Sequence, residues 1–193
     1  TAMEDYPVKI YGIVNCKNVT VGKNQVADAY DETRPYVFVC RDANYETAVE
    51  NIVEVRNCNF DNGVSSVIIV GGNSSDKEVN NNSVKIYNSL FKDIVGYVEI
   101  SGAFEGKNVI GNKVAIENSK FNKIISVTGA NTLKGNVINN TVTMKDSGFG
   151  NVGGIFGGYT RVGDALNNVV NIKDCVLNAS EGTQNISGGS IYG

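Results

Sequence analysis

Few side chains in this chain have chemistry to offer. There is no His among its 193 residues, which excludes Ser-His-Asp and Cys-His nucleophiles, HExxH zinc helices and any His-ligated metal. Four cysteines remain: Cys16, Cys40, Cys58 and Cys175. Cys58 and Cys175 share a sequence slot with Ser89, Ser119 and Ser147, and Cys16 holds the same slot in a degenerate earlier copy. A slot that accepts Ser or Cys is small and faces inward beside a turn. Two readings stand: buried free thiols acting as small apolar groups, or a Cys16–Cys58 bridge between stacked neighbours. A metal site has little to draw on without C-x-x-C or His. Carboxylate catalysis on a sugar chain needs two or three acids on one face. The slot between the main apolar positions reads Glu54, Lys85, Ala115, Thr143 and Asn171, with no such cluster. Asp146 and Asp174 do recur in one slot, but Lys145 and Lys173 stand beside them. No cofactor and no metal is expected.

The charge balance is equally restrictive. Lys+Arg number 17 against 20 Asp+Glu, for a net charge of -3, so the basic face of a nucleic-acid binder is missing. No apolar run approaches the roughly 18 residues of a membrane-spanning helix. The hydrophobic share of 41% is enough for a core. The outlier is Asn, with 27 residues against 2 Pro.

A repeat organises these residues. The pattern N-x-V-x-I-x-N/D-S/C-x-F starts at Asn51, Asn82, Asn112, Asn140 and Asn168, in steps of 31, 30, 28 and 28 residues. Between copies lies an apolar run ending in Gly, at Gly72, Gly102, Gly129 and Gly158. Glycine runs such as Gly153–Gly158 lack the Lys-Ser/Thr of a phosphate loop and read as close backbone approaches at a corner. V-x-I alternation is a strand signal, and Pro is absent after Pro35. Units this short cannot fold alone, but stacked as coils they bury their apolar faces on one another. The expected fold is all-β: a single-stranded, right-handed parallel β-helix of about six coils, each with two or three short strands, the hand following the parallel-crossover rule. Val53, Val84, Val114, Val142 and Val170 form one column, with Val55, Ile86, Ile116, Met144 and Ile172 in a second and Phe60, Phe91, Phe121, Phe149 and Leu177 in a third. Two Asn ladders are expected, Asn51/Asn82/Asn112/Asn140/Asn168 and Asn57/Asn88/Asn118/Asp146/Asp174. A stacked amide donates to one neighbour and accepts from the other, and Asn tolerates the left-handed backbone of a sharp turn. The polar segments from Asn73 (NSSDKEVNN) and Tyr159 (YTRVGDALNN) read as solvated turns.

The first coil departs from the pattern. Residues 1–36 read as an irregular N-terminal coil or cap with an insertion at about 20–36, succeeded by regular repeats over 37–193 that stop in mid-repeat, as a piece of a longer array would. The insertion carries Tyr30, Asp31, Glu32, Arg34 and Tyr36. Tyr and Arg are common interface anchors, so this is the candidate recognition loop; a tolerated surface loop or part of the cap is the plainer account.

The stretch from Asn139 to Ile172 (NNTVTMKDSGFGNVGGIFGGYTRVGDALNNVVNI) resembles the passenger repeats of type V autotransporter adhesins of Gram-negative anaerobes, the large fusobacterial ones especially. The likeness covers roughly Val37 to Gly193 and is one of repeat style. It implies a secreted passenger at the cell surface, tethered to the outer membrane only through a C-terminal β-barrel not contained in this sequence. Its partners would be host or bacterial cell-surface proteins or glycans, and it implies no catalytic residues. Four cysteines depart from that family's habit of few or none. The leading expectation is therefore an adhesin segment, with a polysaccharide-active β-helix enzyme (lyase or glycosidase) and a purely structural spacer as alternatives. If the insertion recognises the partner, deleting Val21–Arg34 abolishes cell binding. Unchanged adhesion with an intact fold, read by circular dichroism, removes the loop from consideration.

Overall fold

The computed structural model describes residues 8–10, 13–15, 36–42, 48–57, 59–60, 66–74, 76–92, 94, 96–122, 124–178 and 185–192. Among these there is no helix, and strands pair in parallel from coil to coil. The chain is a β-solenoid. One coil reads Asn108–Ile110, Lys113–Glu117, Lys120–Phe121 and Ile124–Thr128: four strands, where two or three were expected. Each strand type stacks into its own sheet, called here the short, Val, Phe and Gly sheets in that order. In four successive coils the first inward Val (Val53, Val84, Val114, Val142) is fully buried. The last coil, Ala165–Leu166 to Asn185–Ile191, is the exposed end rung, so the closed stack is about four coils, slightly fewer than the expected six.

The V-x-I alternation sets this packing. Residues two apart in a strand point the same way, so Val84 and Ile86 enter the tube while Ser83, Lys85 and Tyr87 face out. Register then stacks like on like: Val84 lies between Val53 and Val114, and Ile86 between Val55 and Ile116. Phe91, Phe121 and Phe149 stack nearly parallel, with ring centroids 4.4 and 5.0 Å apart. That spacing matches the distance between paired strands.

The two Asn columns do different work. Asn82, Asn112 and Asn140 are completely buried. Each Nδ2 donates to the Oδ1 of the next coil: Asn82 to Asn112 at 2.9 Å, Asn112 to Asn140 at 3.0 Å and Asn140 to Asn168 at 2.9 Å. The same Oδ1 also accepts the backbone N–H of the Asn one coil earlier, at 2.9–3.0 Å from Asn51 to Asn168. Nδ2 donates its second proton backward, from Asn112 to Val79 O at 2.8 Å and from Asn140 to Val109 O at 2.9 Å. These amides are not themselves left-handed. That conformation falls on the residue before: Glu50, Asn81, Gly111, Asn139 and Asn167, with φ between 53° and 69°. In the second column the turn residues themselves, Asn57, Asn88, Asn118, Asp146 and Asp174, are left-handed at φ 48° to 53°. They are exposed, and their ladder consists of Asn88 Nδ2 to Asn57 Oδ1 at 3.4 Å and Asn118 Nδ2 to Asn88 Oδ1 at 2.7 Å.

The next residue closes that turn. Ser89, Ser119 and Ser147 are buried, and each Oγ donates to the carbonyl two residues back at 2.7–2.9 Å. Ser119 and Ser147 Oγ also accept from the backbone N–H of the Ser one coil earlier, both at 3.1 Å. Cys175 occupies the same place as a free thiol, its Sγ donating to Lys173 O at 3.2 Å. Cys16 and Cys58 lie outside the described residues.

The segments expected to be solvated turns are partly strand. Glu78–Asn80 and Ala165–Leu166 belong to the short sheet. Its inward column Val79, Val109 and Val137 packs with Ala103 and Ala130 into a second, smaller core, with Ala165 against it. One Val between polar residues is too little alternation to mark a strand. The ladder amides stand between this core and the main one, facing a glycine column of the Gly sheet. A Cβ at Gly71 would lie 3.3 Å from Asn82 Cβ and 2.5 Å from Gly102 O, and one at Gly102 would lie 2.5 Å from Gly129 O. The column takes the first Gly of the pair at Gly71 and again at Gly157, not the last.

Asn112→Ala would remove at once the bonds that Asn82 N–H, Asn82 Nδ2 and Val79 O make to this side chain in the interior. The expected cost is about 3 kcal/mol or more, at about 1–3 kcal/mol per buried group that loses its bond. Asn118→Ala loses only an exposed bond and a left-handed preference, about 1 kcal/mol. Urea denaturation of the two variants checks the contrast, and equal midpoints would mean that the inner ladder does not hold the stack.

Candidate functional site

Tyr30, Asp31, Glu32 and Arg34 of the candidate loop lie outside the described residues; Tyr36 opens the strand Tyr36–Asp42, which pairs with Val8–Ile10 and Ser66–Asn73 in the Gly sheet. Between Ile13–Asn15 and Tyr36–Asp42 run residues 16–35, against 118–123 and 146–151 at the same place in later coils. The ten ladder residues divide into an inner column, buried at Asn82, Asn112 and Asn140 and half-buried at Asn51 and Asn168, and an exposed outer column.

Two grooves of the outer surface are wide enough to hold a ligand. The first is a groove of about 560 Å³ beside the exposed Asn column, lined by Arg56, Asn57, Tyr87, Asn88, Glu117, Asn118 and Asp146. Its charges are engaged with one another. Arg56 pairs with Glu54 and lies over the Tyr87 ring, 5.1 Å from its centroid. Lys145 Nζ sits 3.2 Å from both Glu117 Oε1 and Asp146 Oδ2, and these two carboxylates hold the ammonium above its ordinary pKa. Lys173 and Asp174 pair at 3.9 Å.

The second lies on the outer face of the Gly sheet, where the strand bends at the glycine column. Register aligns Ile68, Glu99, Ser126, Gly154 and Asn185 on one side of the bend. Phe104, Asn131, Tyr159 and Ser190 align on the other side. Val70, Ser101, Thr128 and Phe156 run between them. Thr128 Oγ1 donates to Ser101 Oγ at 2.9 Å, and Ser101 Oγ to Ala103 O at 2.5 Å, which ties the floor of the bend. A groove of about 380 Å³ is lined by Ser126, Thr128, Asn131, Gly153, Gly154, Phe156, Tyr159 and Asn185. The Phe156 and Tyr159 rings stand 5.5 Å apart, tilted by 54°. Phe156 folds back over bare backbone, since a Cβ at Gly154 would lie 2.6 Å from its Cε2.

Sequence reasoning missed this face. The run from Gly153 to Gly158 reads as a glycine-rich corner, and Phe156 and Tyr159 fit no repeat column. Ile155 is buried, so its neighbour Phe156 must face out. That alternation was the available signal.

Glu99 is a carboxylate of this face in register with the groove-lining Ser126, and burial raises its pKa above the ordinary 4.5. Its register neighbours are Ile68 and Ser126, so no second acid stands beside it in the ladder. No group of three or more His, Cys, Asp or Glu suited to a metal ion occurs among the described residues. With a folded pKa above the unfolded one, the native state keeps the proton longer, and stability falls as pH rises from about 4.5 through the folded value. Glu99→Gln removes that loss. The variant is expected to melt higher than the parent at pH 7 and equally at pH 3.5, as read by thermal denaturation; equal melting at both would remove Glu99 as a buried acid.

Comparison with protein-family models, with curated proteins and with solved structures gives no match, so the reading of function rests on this geometry.

Proposed function

We propose that this chain is a segment of a secreted surface adhesin, an autotransporter passenger whose β-solenoid is a rigid scaffold for attachment to host or bacterial cells. One observation carries the reading: interior polar chemistry is committed to coil-on-coil stacking, while an outer face of the same coils holds an uncharged aromatic and amide groove. Each coil contacts its neighbours above all, so a solenoid emerging from a pore can fold one coil at a time. Its place would be the cell surface, with a C-terminal barrel as the tether. A polysaccharide-cleaving enzyme of this architecture would need paired carboxylates across the scissile bond, and Glu99 stands without one in its register.

Beads coated with the protein and offered to epithelial cells and to Gram-negative bacteria test this. Saturable attachment, competed away by soluble protein, is expected. Attachment no greater than that of beads bearing an unrelated protein would leave the spacer reading. Release of reducing ends from a polysaccharide panel would favour the enzyme.

A further inference from the structure

We propose that the groove walled by Phe156 and Tyr159 is a subsite for a neutral oligosaccharide lying along the solenoid axis. The proposal rests on the attachment reading and names its ligand class. The groove lining holds no charged residue, which suits an uncharged ligand. The groove beside the exposed Asn column is rich in charges already engaged with one another, and so offers an uncharged chain nothing comparable.

The aromatic geometry fits a sugar. A pyranose presents an apolar C–H face that packs on a ring, and hydroxyl edges that need donors and acceptors. Phe156 lies over the Gly154 backbone, and Tyr159 rises beside it at 54°, making a two-sided aromatic corner. The polar groups are placed for the edges. Neither the Asn131 nor the Asn185 side-chain amide has a hydrogen-bond partner among the described residues, whereas the inner-ladder amides are bonded to one another. An amide supplies both donor and acceptor, which is what a hydroxyl edge requires.

The groove also has a direction. Ser126, Gly154 and Asn185 succeed one another coil by coil on one bank, as Asn131 and Tyr159 do on the other. Rungs repeat at about 4.8 Å along the axis, so a chain of sugars laid lengthwise meets equivalent banks at successive steps. A volume of about 380 Å³ admits a short stretch of such a chain and leaves its ends free to continue.

The test uses the whole chain on a printed array of neutral hexose and N-acetylhexosamine oligosaccharides beside sialylated and uronate ones. Any neutral hit is then titrated by calorimetry with that oligosaccharide. Tyr159→Ala removes one wall; Phe156→Leu keeps an apolar side chain over Gly154 but loses the ring. Each is checked by thermal melting. Binding to neutral glycans, weakened about tenfold in either variant with the melting point kept, is expected, in line with the value of an aromatic contact. Binding confined to acidic glycans, unchanged in both variants, or absent at millimolar ligand overturns the proposal. Bead attachment to cells separates the two levels: if both variants still attach like the parent while no neutral glycan binds, the subsite falls and the adhesin reading stands. If parent beads do not attach either, both fall.

Discussion

A side-chain amide inside a protein must be bonded on every side or it destabilises the fold, and this solenoid is organised around that requirement. Each inner-ladder amide from Asn82 to Asn168 is held by its neighbours along the axis. The bonds run between equivalent residues of adjacent coils, so they exist in one register only. Apolar columns alone tolerate some sliding of one Val against the next. A slip of one residue would cost every rung two bonds to Oδ1 at buried side chains. The ladder thus converts a set of similar, weakly specified strands into a stack with one permitted alignment.

The same requirement shapes the outer surface. An amide at the corner takes space that the facing strand must yield. The facing residues are glycines at which an added Cβ would come within 3.3 Å of the Asn82 and Asn140 Cβ atoms. The Gly sheet bends there. On its inner side the bend encloses the small core of Val79, Val109 and Val137. On its outer side it leaves the groove between Phe156 and Tyr159. The candidate recognition surface is in this sense the reverse side of the buried ladder.

Much of this was legible in the sequence because columns are written as identities. Val84 under Val114, and Phe91 under Phe121, repeat in type and in spacing, and register comes directly from that repetition. The short strand was not legible, since a single inward Val in each coil, Val79, Val109 or Val137, carries its signal. The two Asn columns could not be told apart by type either. Both obey the same residue preference, yet one lies a position after the left-handed turn and is buried, while the other is the turn itself. Only their place relative to the V-x-I strand separates them in the sequence: the buried column precedes it and the exposed column comes after it. Phe156 and Tyr159 escaped because a residue that occurs once leaves no mark on a repeat.

The exceptions within the ladders support this division. The outer column changes from Asn118 to Asp146 and Asp174, and the charges are met by Lys145 and Lys173 in water. The inner column keeps Asn through all five positions. A carboxylate there would bring a buried charge and lose both amide protons, one of which holds the next coil and the other the previous one. Outward positions vary without pattern, as Glu54, Lys85, Ala115, Thr143 and Asn171 do at one site. A scaffold that asks nothing of its outer residues leaves them available for recognition, and a sparse aromatic pair on such a background is the kind of departure in which binding specificity resides.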